Sequence, residues 1–361
     1  MQLKPDLDAA KQRMAAFWEG ETTERPVIAY KYQRVDDAIA PELDFWYLAK
    51  HWDDIDTYIQ QFERHAECHV FGGEYVPNIQ INYGPGIMAA IFGCVPKFVS
   101  QTVWFEHPTS INDISSLLES TRLNGSNEWY RRLIRVTETA AAAAQHGGYA
   151  VSLTDLGGIL DILASFLNPT QLIIAMKTKP AIVDTCRAII MEKWHRVYSD
   201  LMRILDTHNL GCTAWLNVWS PKHWYPIQCD FSAMLSPKWF KRFVLPDLKE
   251  QCDRLDYCIY HWDGPRQLQY KDDLLSISNL SGLQWCPGVN QPTHGDDKWI
   301  PLYKDIQAAG KFIVEEAEPW DLAKLYREVD PKKTFAITRL GTEIMAEFYL
   351  PKFMGGMDGI E

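Results

Sequence analysis

The sequence lacks the features that mark several large classes of protein. Lys and Arg total 36 against 47 Asp and Glu, which gives a formal net charge of −11. Without a basic excess, neither a nucleic acid nor an anionic membrane is an expected partner. No apolar run approaches the length of a membrane span, and the first residues are polar, without an apolar signal core. These absences predict a cytoplasmic protein with no membrane segment.

Paired cysteine motifs and nucleotide-binding glycine motifs are missing as well. The eight cysteines are scattered, with no C-x-x-C pair, at Cys68, Cys94, Cys186, Cys212, Cys229, Cys252, Cys258 and Cys286. This pattern favours reduced thiols over a disulfide framework or a structural zinc knuckle. No predicted strand is followed by G-x-G-x-x-G or by G-x-x-x-x-G-K-S/T, so neither a dinucleotide site nor a phosphate loop is expected.

Short apolar segments alternate with helical segments along most of the chain. Eight strands are predicted near residues 27, 77, 150, 212, 257, 281, 312 and 334, mostly separated by helices of ten or more residues. Such alternation indicates parallel βα units, and eight units favour a closed barrel over an open sheet. We predict an α/β fold in which residues 1–361 form a single (β/α)8 TIM barrel with an N-terminal helical extension.

Two intermediate regions carry more specific predictions. Residues 41–70 are predicted to be helical, which would place His65, Cys68 and His69 on one helix face. That spacing can hold a metal, although a packed helix face is the favoured interpretation. Further on, the segment 211–219 is predicted as the fourth strand, and the aromatic segment 223–226 as the loop that follows it.

The strongest functional signal is the stretch Asp256-Tyr-Cys-Ile-Tyr-His-Trp-Asp-Gly264. It is predicted to be a buried strand that ends in a histidine, a carboxylate and a glycine-proline turn. Catalytic side chains of α/β barrels usually stand at the carboxyl ends of the strands. His261 and Asp263 are two residues apart, so both point to the same side of the strand and could address one ligand or metal.

Polar and aromatic side chains at the other predicted strand ends complete the candidate site. Asp155 is a catalytic candidate together with His261 and Asp263. Cys286 is a weaker candidate because a buried strand cysteine is more often inert packing. Glu315 and Glu316 point to opposite faces, so at most one of them would look into the barrel mouth. The substrate-binding candidates are Arg34, Tyr83, Asn217, Trp219, Trp285 and Arg339.

Four segments resemble the uroporphyrinogen decarboxylase-like superfamily, which includes cobalamin-dependent methyltransferases. They are Asp155-Leu-Gly-Gly-Ile-Leu-Asp161, the run from Cys229-Asp-Phe to Val244-Leu-Pro246, Tyr260-His-Trp-Asp-Gly-Pro265, and Leu283-Gln-Trp-Cys-Pro-Gly288. The resemblance covers most of the chain and implies a (β/α)8 barrel and a homodimer. It also implies a methyltransferase that takes a small methylated substrate, with a corrinoid protein or a folate as the methyl acceptor.

The sequence departs from both branches of this superfamily. The decarboxylase grips its substrate carboxylates with N-terminal arginines, and only Arg34 matches them here. The methyltransferases hold zinc with a His-x-Cys pair and a later Cys; here Asp263 stands in place of the first thiol, and Thr338-Arg339 offers no second one. Zinc accepts Asp oxygen. A zinc site would therefore need His261 and Asp263 with one or two of Cys286, Glu315, Glu316 and Cys229. The predicted metal ligands are His261, Asp263, Cys286 and Glu316.

Two other functions remain open from the sequence. A decarboxylase, or another lyase or hydrolase, could use paired strand-end carboxylates, with tryptophans stacking on the substrate. A barrel without enzymatic activity could bind a small molecule. Metal and bound corrinoid would favour methyl transfer, a pH-dependent cleavage reaction would favour the lyase, and affinity without turnover would favour the binding protein.

Overall fold

The computed structural model describes residues 3–21, 25–34, 42–106 and 111–354. Within them the strands are β1 Val27–Gln33, β2 His69–Gly73, β3 Asn78–Gln80, β4 Val95–Val99, β5 Thr102–Glu106, β6 Ala150–Ser152, β7 Cys212–Thr213, β8 Trp219–Ser220, β9 Trp224–Ile227, β10 Tyr257–Asp263, β11 Gly282–Cys286, β12 Phe312–Glu316 and β13 Thr334–Arg339.

Helices connect most of these strands. They are α1 Leu7–Trp18, α2 Tyr47–Lys50, α3 Ile55–Glu67, α4 Met88–Ile91, α5 Ile111–Ser120, α6 Glu128–Gly147, α7 Ile159–Phe166, α8 Pro169–Thr178, α9 Pro180–Thr207, α10 Pro237–Phe243, α11 Leu245–Asp253, α12 Lys271–Leu275, α13 Ile300–Ala308, α14 Pro319–Glu328 and α15 Glu343–Met354. Three 3-10 turns cover Asp230–Met234, Pro265–Tyr270 and Pro331–Lys333.

The strands form two main sheets and one hairpin. The larger sheet has seven strands in the order β2-β1-β13-β12-β11-β10-β9, and every pair except β1 with β2 is parallel. The smaller has the order β3-β6-β7-β8, with only the β7–β8 pair antiparallel. Strands β4 and β5 pair as a separate antiparallel hairpin. The predicted α/β class, with a large parallel sheet, is confirmed.

A strand forms near each of the eight predicted positions, but three predictions about the segments around them are wrong. The helix in the region 41–70 stops at Glu67, and His69 already belongs to β2, so His65, Cys68 and His69 do not share one helix face. The predicted fourth strand is a hairpin instead. Its strand β7 ends at Thr213, and Asn217 adopts φ 55° in the turn that leads back into β8.

The aromatic segment after this hairpin is also not a loop. Residues Trp224–Ile227 form β9, the edge strand of the large sheet, and pair in parallel with β10. All four of its residues are buried. Apolar aromatic residues in a short run suit a buried strand as well as a loop, and the tertiary partner decides between them.

The N-terminal helix covers the amino ends of the large sheet. Phe17 lies 4.5 Å from Phe312 between ring centroids and 6.1 Å from Phe335, and both partners stand at the start of their strands. Trp18 stacks on Tyr257 at 4.7 Å, at the start of β10. Burial of each such ring contributes about 1.5–3 kcal/mol. The amino ends are therefore filled by α1, and the carboxyl ends are left for the site.

Side-chain hydrogen bonds connect the two main sheets. Trp224 Nε1 donates to the Cys212 carbonyl at 3.1 Å, which ties β9 to β7. Tyr225 Oη donates to the Thr154 carbonyl at 3.2 Å and accepts from Leu156 N at 2.7 Å, which ties β9 to the loop after β6.

A buried carboxylate, Glu74, holds the segment between β2 and β3 to β1. Glu74 accepts from Ile28 N at 2.9 Å, from Arg13 Nε at 2.6 Å and from Arg25 Nη2 at 2.6 Å. One carboxylate thus joins α1 and β1 to the segment that leads into β3. In the described residues no single helix has the length and apolar composition to cross a membrane.

Candidate active site

The centre of the candidate site is the carboxyl end of β10. Strand alternation places His261 and Asp263 on one face, and the β10–β11 register pairs them with Gln284 and Cys286 on the same face. Trp262 lies on the opposite face. The sequence prediction that His261 and Asp263 point the same way agrees with this register.

Three ligand atoms converge at this strand end. Asp230, His261 and Asp263 each offer one atom, and these atoms all lie within 4.8 Å of one another. No other group of three or more His, Cys, Asp or Glu side chains in the described part of the chain meets this condition. Asp230 begins the 3-10 turn Asp230–Met234, shortly after β9, the neighbour of β10 in the sheet.

The hydrogen bonds of His261 fix which ring nitrogen can act as a ligand. Its Nδ1 lies 2.7 Å from Gln284 Oε1, and because that oxygen can only accept, Nδ1 carries the proton. In the neutral ring Nε2 then keeps its lone pair. Trp215 packs edge-on against the imidazole, with ring centroids 5.0 Å apart. A hydrogen bond to the second ring nitrogen is the usual support of a metal-binding histidine.

Cys286 lies beside this group but is not one of the three convergent ligand residues. Its Sγ is 3.9 Å from His261 Nδ1, on the side of the ring that Gln284 occupies. Burial, followed by the charge of Glu315, raises the pKa of the Cys286 thiol well above its usual range. Zinc binds the thiolate form, so an ion bound to Cys286 would have to displace this proton.

Two further carboxylates lie next to the convergent group. Burial raises the pKa of Asp155 to about 6. Burial, followed by the negative charge of Asp230, raises the pKa of Asp161 to about 7. Asp161 also holds the neighbouring loop, because its two oxygens accept from Asp230 N at 3.1 Å and Phe231 N at 2.8 Å. It is a positioning residue for Asp230.

Paired glycine turns bring the ends of β3 and β6 together. Gly86 N and Ile87 N both donate to the Asp155 carbonyl, at 3.2 and 3.0 Å. Gly157 has φ 85°, and a Cβ on it would lie 2.7 Å from the Gly86 Cα. Only glycine allows this backbone contact without displacement. The sequence Asp155-Leu-Gly-Gly158 therefore serves to place the Asp155 carboxylate.

A cleft of about 830 Å³ reaches Asp230 from the protein surface. The β4–β5 hairpin and the segment from α7 into α8 form its walls, and Gly157, Gln228, Asp161 and Asp230 line it as well. Asp230 therefore belongs both to the cleft and to the convergent group. The volume of the cleft lies within the usual range for small-molecule sites, roughly 300–1,000 Å³.

Most of the predicted substrate-binding residues lie elsewhere. Tyr83 is buried, with its hydroxyl donating to the Trp52 carbonyl at 2.7 Å. Trp219 Nε1 donates to the Leu210 carbonyl at 2.9 Å, and its own carbonyl accepts from Trp18 on α1, beside the amino ends of the strands. Trp285 faces away from His261 and packs edge-to-face on Trp262, with centroids 5.6 Å apart.

The remaining candidates lie towards β1 and β13. Arg34 Nε donates to the His69 carbonyl at 3.3 Å, at the edge of the sheet. Arg339 is exposed and lies 3.4 Å from Glu316. The strand register places Glu316 on the face that carries Cys286, whereas Glu315 is buried on the other face against His294 at 2.5 Å. Glu316 is not among the three convergent ligand residues.

Four residues that the sequence reasoning did not select belong to the site. Gln284 is two residues before the predicted candidate Cys286 on β11, so strand alternation alone could have selected it. Asp161 and Asp230 fall inside the segments that carry the family resemblance, but nothing in their spacing shows that they meet. Trp215 lies in the turn of the β7–β8 hairpin, where one continuous strand had been predicted.

Asp155 provides a test of the site's electrostatics. Its folded pKa is about 6 against an ordinary 3.8, so the folded state binds more protons between these values. Its stabilising contribution is complete below about pH 4 and is lost as the pH rises through 6. Asp155→Asn keeps the bond from Gly157 N and should become more stable than the wild type by about 2 kcal/mol at neutral pH. Urea unfolding across this range, with a chelator present, measures the difference; a pH-independent difference would contradict it.

Comparisons with known proteins add a fold relationship. No protein-family model matches the chain, and no curated protein sequence matches it. Seven solved chains match its structure. One is a methyltransferase from Methanosarcina mazei, with a TM-score of 0.59, 10% sequence identity, and coverage of 91% of this chain and 92% of that chain. At this identity the likeness shows a shared fold.

Proposed function

We propose that the protein is a metal-dependent methyltransferase that acts on a small methylated substrate. The observation that carries this proposal is the position of Asp230, which lines the cleft and converges with His261 and Asp263. A ligand in the cleft would therefore lie next to a bound ion. The shared fold with a methyltransferase supports the same reaction class.

The donor set fits a divalent ion such as zinc. One imidazole nitrogen and two carboxylate oxygens are a combination that zinc accepts, and three protein ligands leave a position open for a substrate. Such an ion would supply Lewis-acid activation of a substrate heteroatom. The oxygen-rich set lacks thiolate, which favours harder ions than the His-Cys-Cys pattern would.

The protein's own residues would prepare the site. Gln284 orients His261 and keeps the proton on Nδ1, and Asp161 holds the backbone of Asp230 in place. Phe231, which is buried and lines the cleft, would exclude water beside the carboxylates. Asp155 and Asp161, with raised pKa values of about 6 and 7, could exchange protons with a substrate near neutral pH.

We also propose a corrinoid, carried by a partner protein, as the methyl acceptor in preference to a folate. The glutamate tail of a folate would seek positive charge, and no Lys, Arg or His is found among the cleft residues in the described part of the chain. A corrinoid on a partner could approach the open mouth of the cleft.

A carboxy-lyase is the second candidate function. Asp155, Asp161 and Asp230 lie close enough for their charges to influence one another, and the pKa of each is raised by burial. Carboxylates of unequal acidity can serve as general acid and base. Release of carbon dioxide without any bound metal would favour this function over methyl transfer.

The proposal includes closure of the two main sheets into one barrel and assembly as a homodimer. The hydrogen bonds from Trp224 Nε1 to the Cys212 carbonyl and from Ile28 N to the Glu74 carboxylate support closure. The dimer rests on the family resemblance. Light scattering at micromolar concentration tests it, and a monomer would contradict it.

Metal analysis is the direct test of the proposed function. The purified protein, loaded with zinc and then desalted, should retain about one ion per chain, since one convergent site is present. Gln284→Leu should weaken zinc affinity by about 10- to 100-fold, because it removes the hydrogen bond to His261. Cys286→Ala is the matched control and should keep the affinity. Loss of zinc in the cysteine variant but not in the glutamine variant would contradict this ligand set.

A further inference from the structure

The cleft carries negative charge and no positive charge. It has twenty lining residues in the described part of the chain, and the ionisable ones are Glu106, Asp161 and Asp230. Glu106 forms an exposed ion pair with Lys97, which is outside the lining. The two aspartates at the inner end have no Lys or Arg among their hydrogen-bond partners. An anionic ligand such as a polycarboxylate would meet repulsion here.

Aromatic and other apolar side chains form the walls of this acidic cleft. Phe105, Phe166 and Phe231 are buried and line it. Trp104 and Met234 also line it, yet they remain 63% and 55% exposed. A large exposed indole next to buried phenyl rings is typical of a ligand site, because the protein's own core does not cover it. Aromatic faces attract cations through their quadrupoles.

One feature of the cleft wall, the N-terminus of α8, would favour an anion, but a side-chain cap already occupies it. The N-terminus of α8 reaches the cleft at Asn168, where backbone N–H groups point outwards. The Asn168 side chain accepts from Gln171 N at 3.0 Å and caps this end. A partial helix charge of about +0.5 is smaller than the charge of two carboxylates. The net charge around the cleft therefore stays negative.

From this combination we infer that the cleft binds an organic onium cation, with a methylated ammonium head beside Asp161 and Asp230 and an apolar substituent along Phe166 and Trp104. The volume of about 830 Å³ leaves room for that substituent. The inference rests on the proposed function in one respect, since the cation would be the methyl donor. A fully alkylated nitrogen has no lone pair, so a bound metal ion would act on another heteroatom of that substrate. Binding of the cation needs no metal, so the two can be tested separately.

Calorimetry on the full-length, metal-free protein at about pH 8 tests the inference. The probes are choline, its uncharged carbon isostere 3,3-dimethylbutan-1-ol, benzyltrimethylammonium and benzoate. Choline should bind at least about 10-fold more tightly than the isostere, because the two differ in charge and hardly in shape. Benzyltrimethylammonium should bind more tightly than choline, and benzoate should not bind.

Two variants assign the affinity to this cleft. Asp230→Asn should reduce the preference for choline over its isostere, and Trp104→Ala should weaken benzyltrimethylammonium about 10-fold. Trp320→Ala is the matched control, because Trp320 is also exposed and lies outside the cleft. Equal binding of choline and the isostere, tighter binding of benzoate, or no binding of either ammonium up to about 10 mM would overturn the inference. Cation selectivity in a protein that binds no metal would instead overturn the proposed function alone.

Discussion

Replacing His261 with alanine should abolish high-affinity metal binding and lower turnover by at least about 100-fold. The variant loses the only nitrogen among the three convergent ligand atoms and leaves Asp230 and Asp263, two carboxylates, facing each other. Without a cation between them these two groups repel. Zinc titration against a competing chelator measures the first effect, and methyl transfer from an ammonium substrate that binds the cleft measures the second.

The stability of this variant should change only modestly, because the imidazole is only partly buried. His223→Ala is the matched control, since His223 pairs with Asp206 at the surface. A His261→Ala protein that melts at a much lower temperature but keeps its zinc affinity would show that His261 is a packing residue.

Replacing Glu74 with alanine should give the largest loss of stability, about 3–5 kcal/mol. The Glu74 side chain is fully buried and accepts bonds from Arg13, Arg25 and Ile28 N. Its removal leaves two guanidinium groups and a strand N–H without their buried acceptor, where α1 meets β1. Urea unfolding at neutral pH measures the loss.

Glu328→Ala controls for the removal of a glutamate from an ion pair, because Glu328 pairs with Lys304 in an exposed position. Its cost should be at most about 1 kcal/mol. Similar losses for the two variants would mean that the buried cluster contributes no more than a surface pair, and that α1 is attached mainly by the aromatic contacts of Phe17 and Trp18.

The fold class could be predicted because apolar strands and helices differ in period and length. A strand formed near each of the eight predicted positions, although the fourth is only a two-residue strand of a hairpin. The hairpin at Cys212–Ser220 could not be predicted in the same way. Its residues are as apolar as one continuous strand, and the reversal depends on Asn217 adopting a positive φ, which Asn tolerates but does not require.

The candidate site was predictable only along a single strand. His261 and Asp263 share a face by local geometry, so the sequence was sufficient for that pair. Asp230 reaches them because β9 lies beside β10 in the sheet, and the sequence reasoning had assigned β9 to a loop. Contacts between strands depend on sheet order and register, and neither leaves a periodic trace in one sequence.

The helix that covers the amino ends of the strands also limits where a ligand can enter the protein. Phe17 and Trp18 are packed there, and the cleft that reaches Asp230 is lined by the exposed side chains of Trp104 and Met234. Under the proposed function, a methyl donor and a bulky acceptor would then enter the same cleft mouth in turn. In steady-state kinetics, each should compete with the other for the free enzyme, and a large excess of either should slow the reaction.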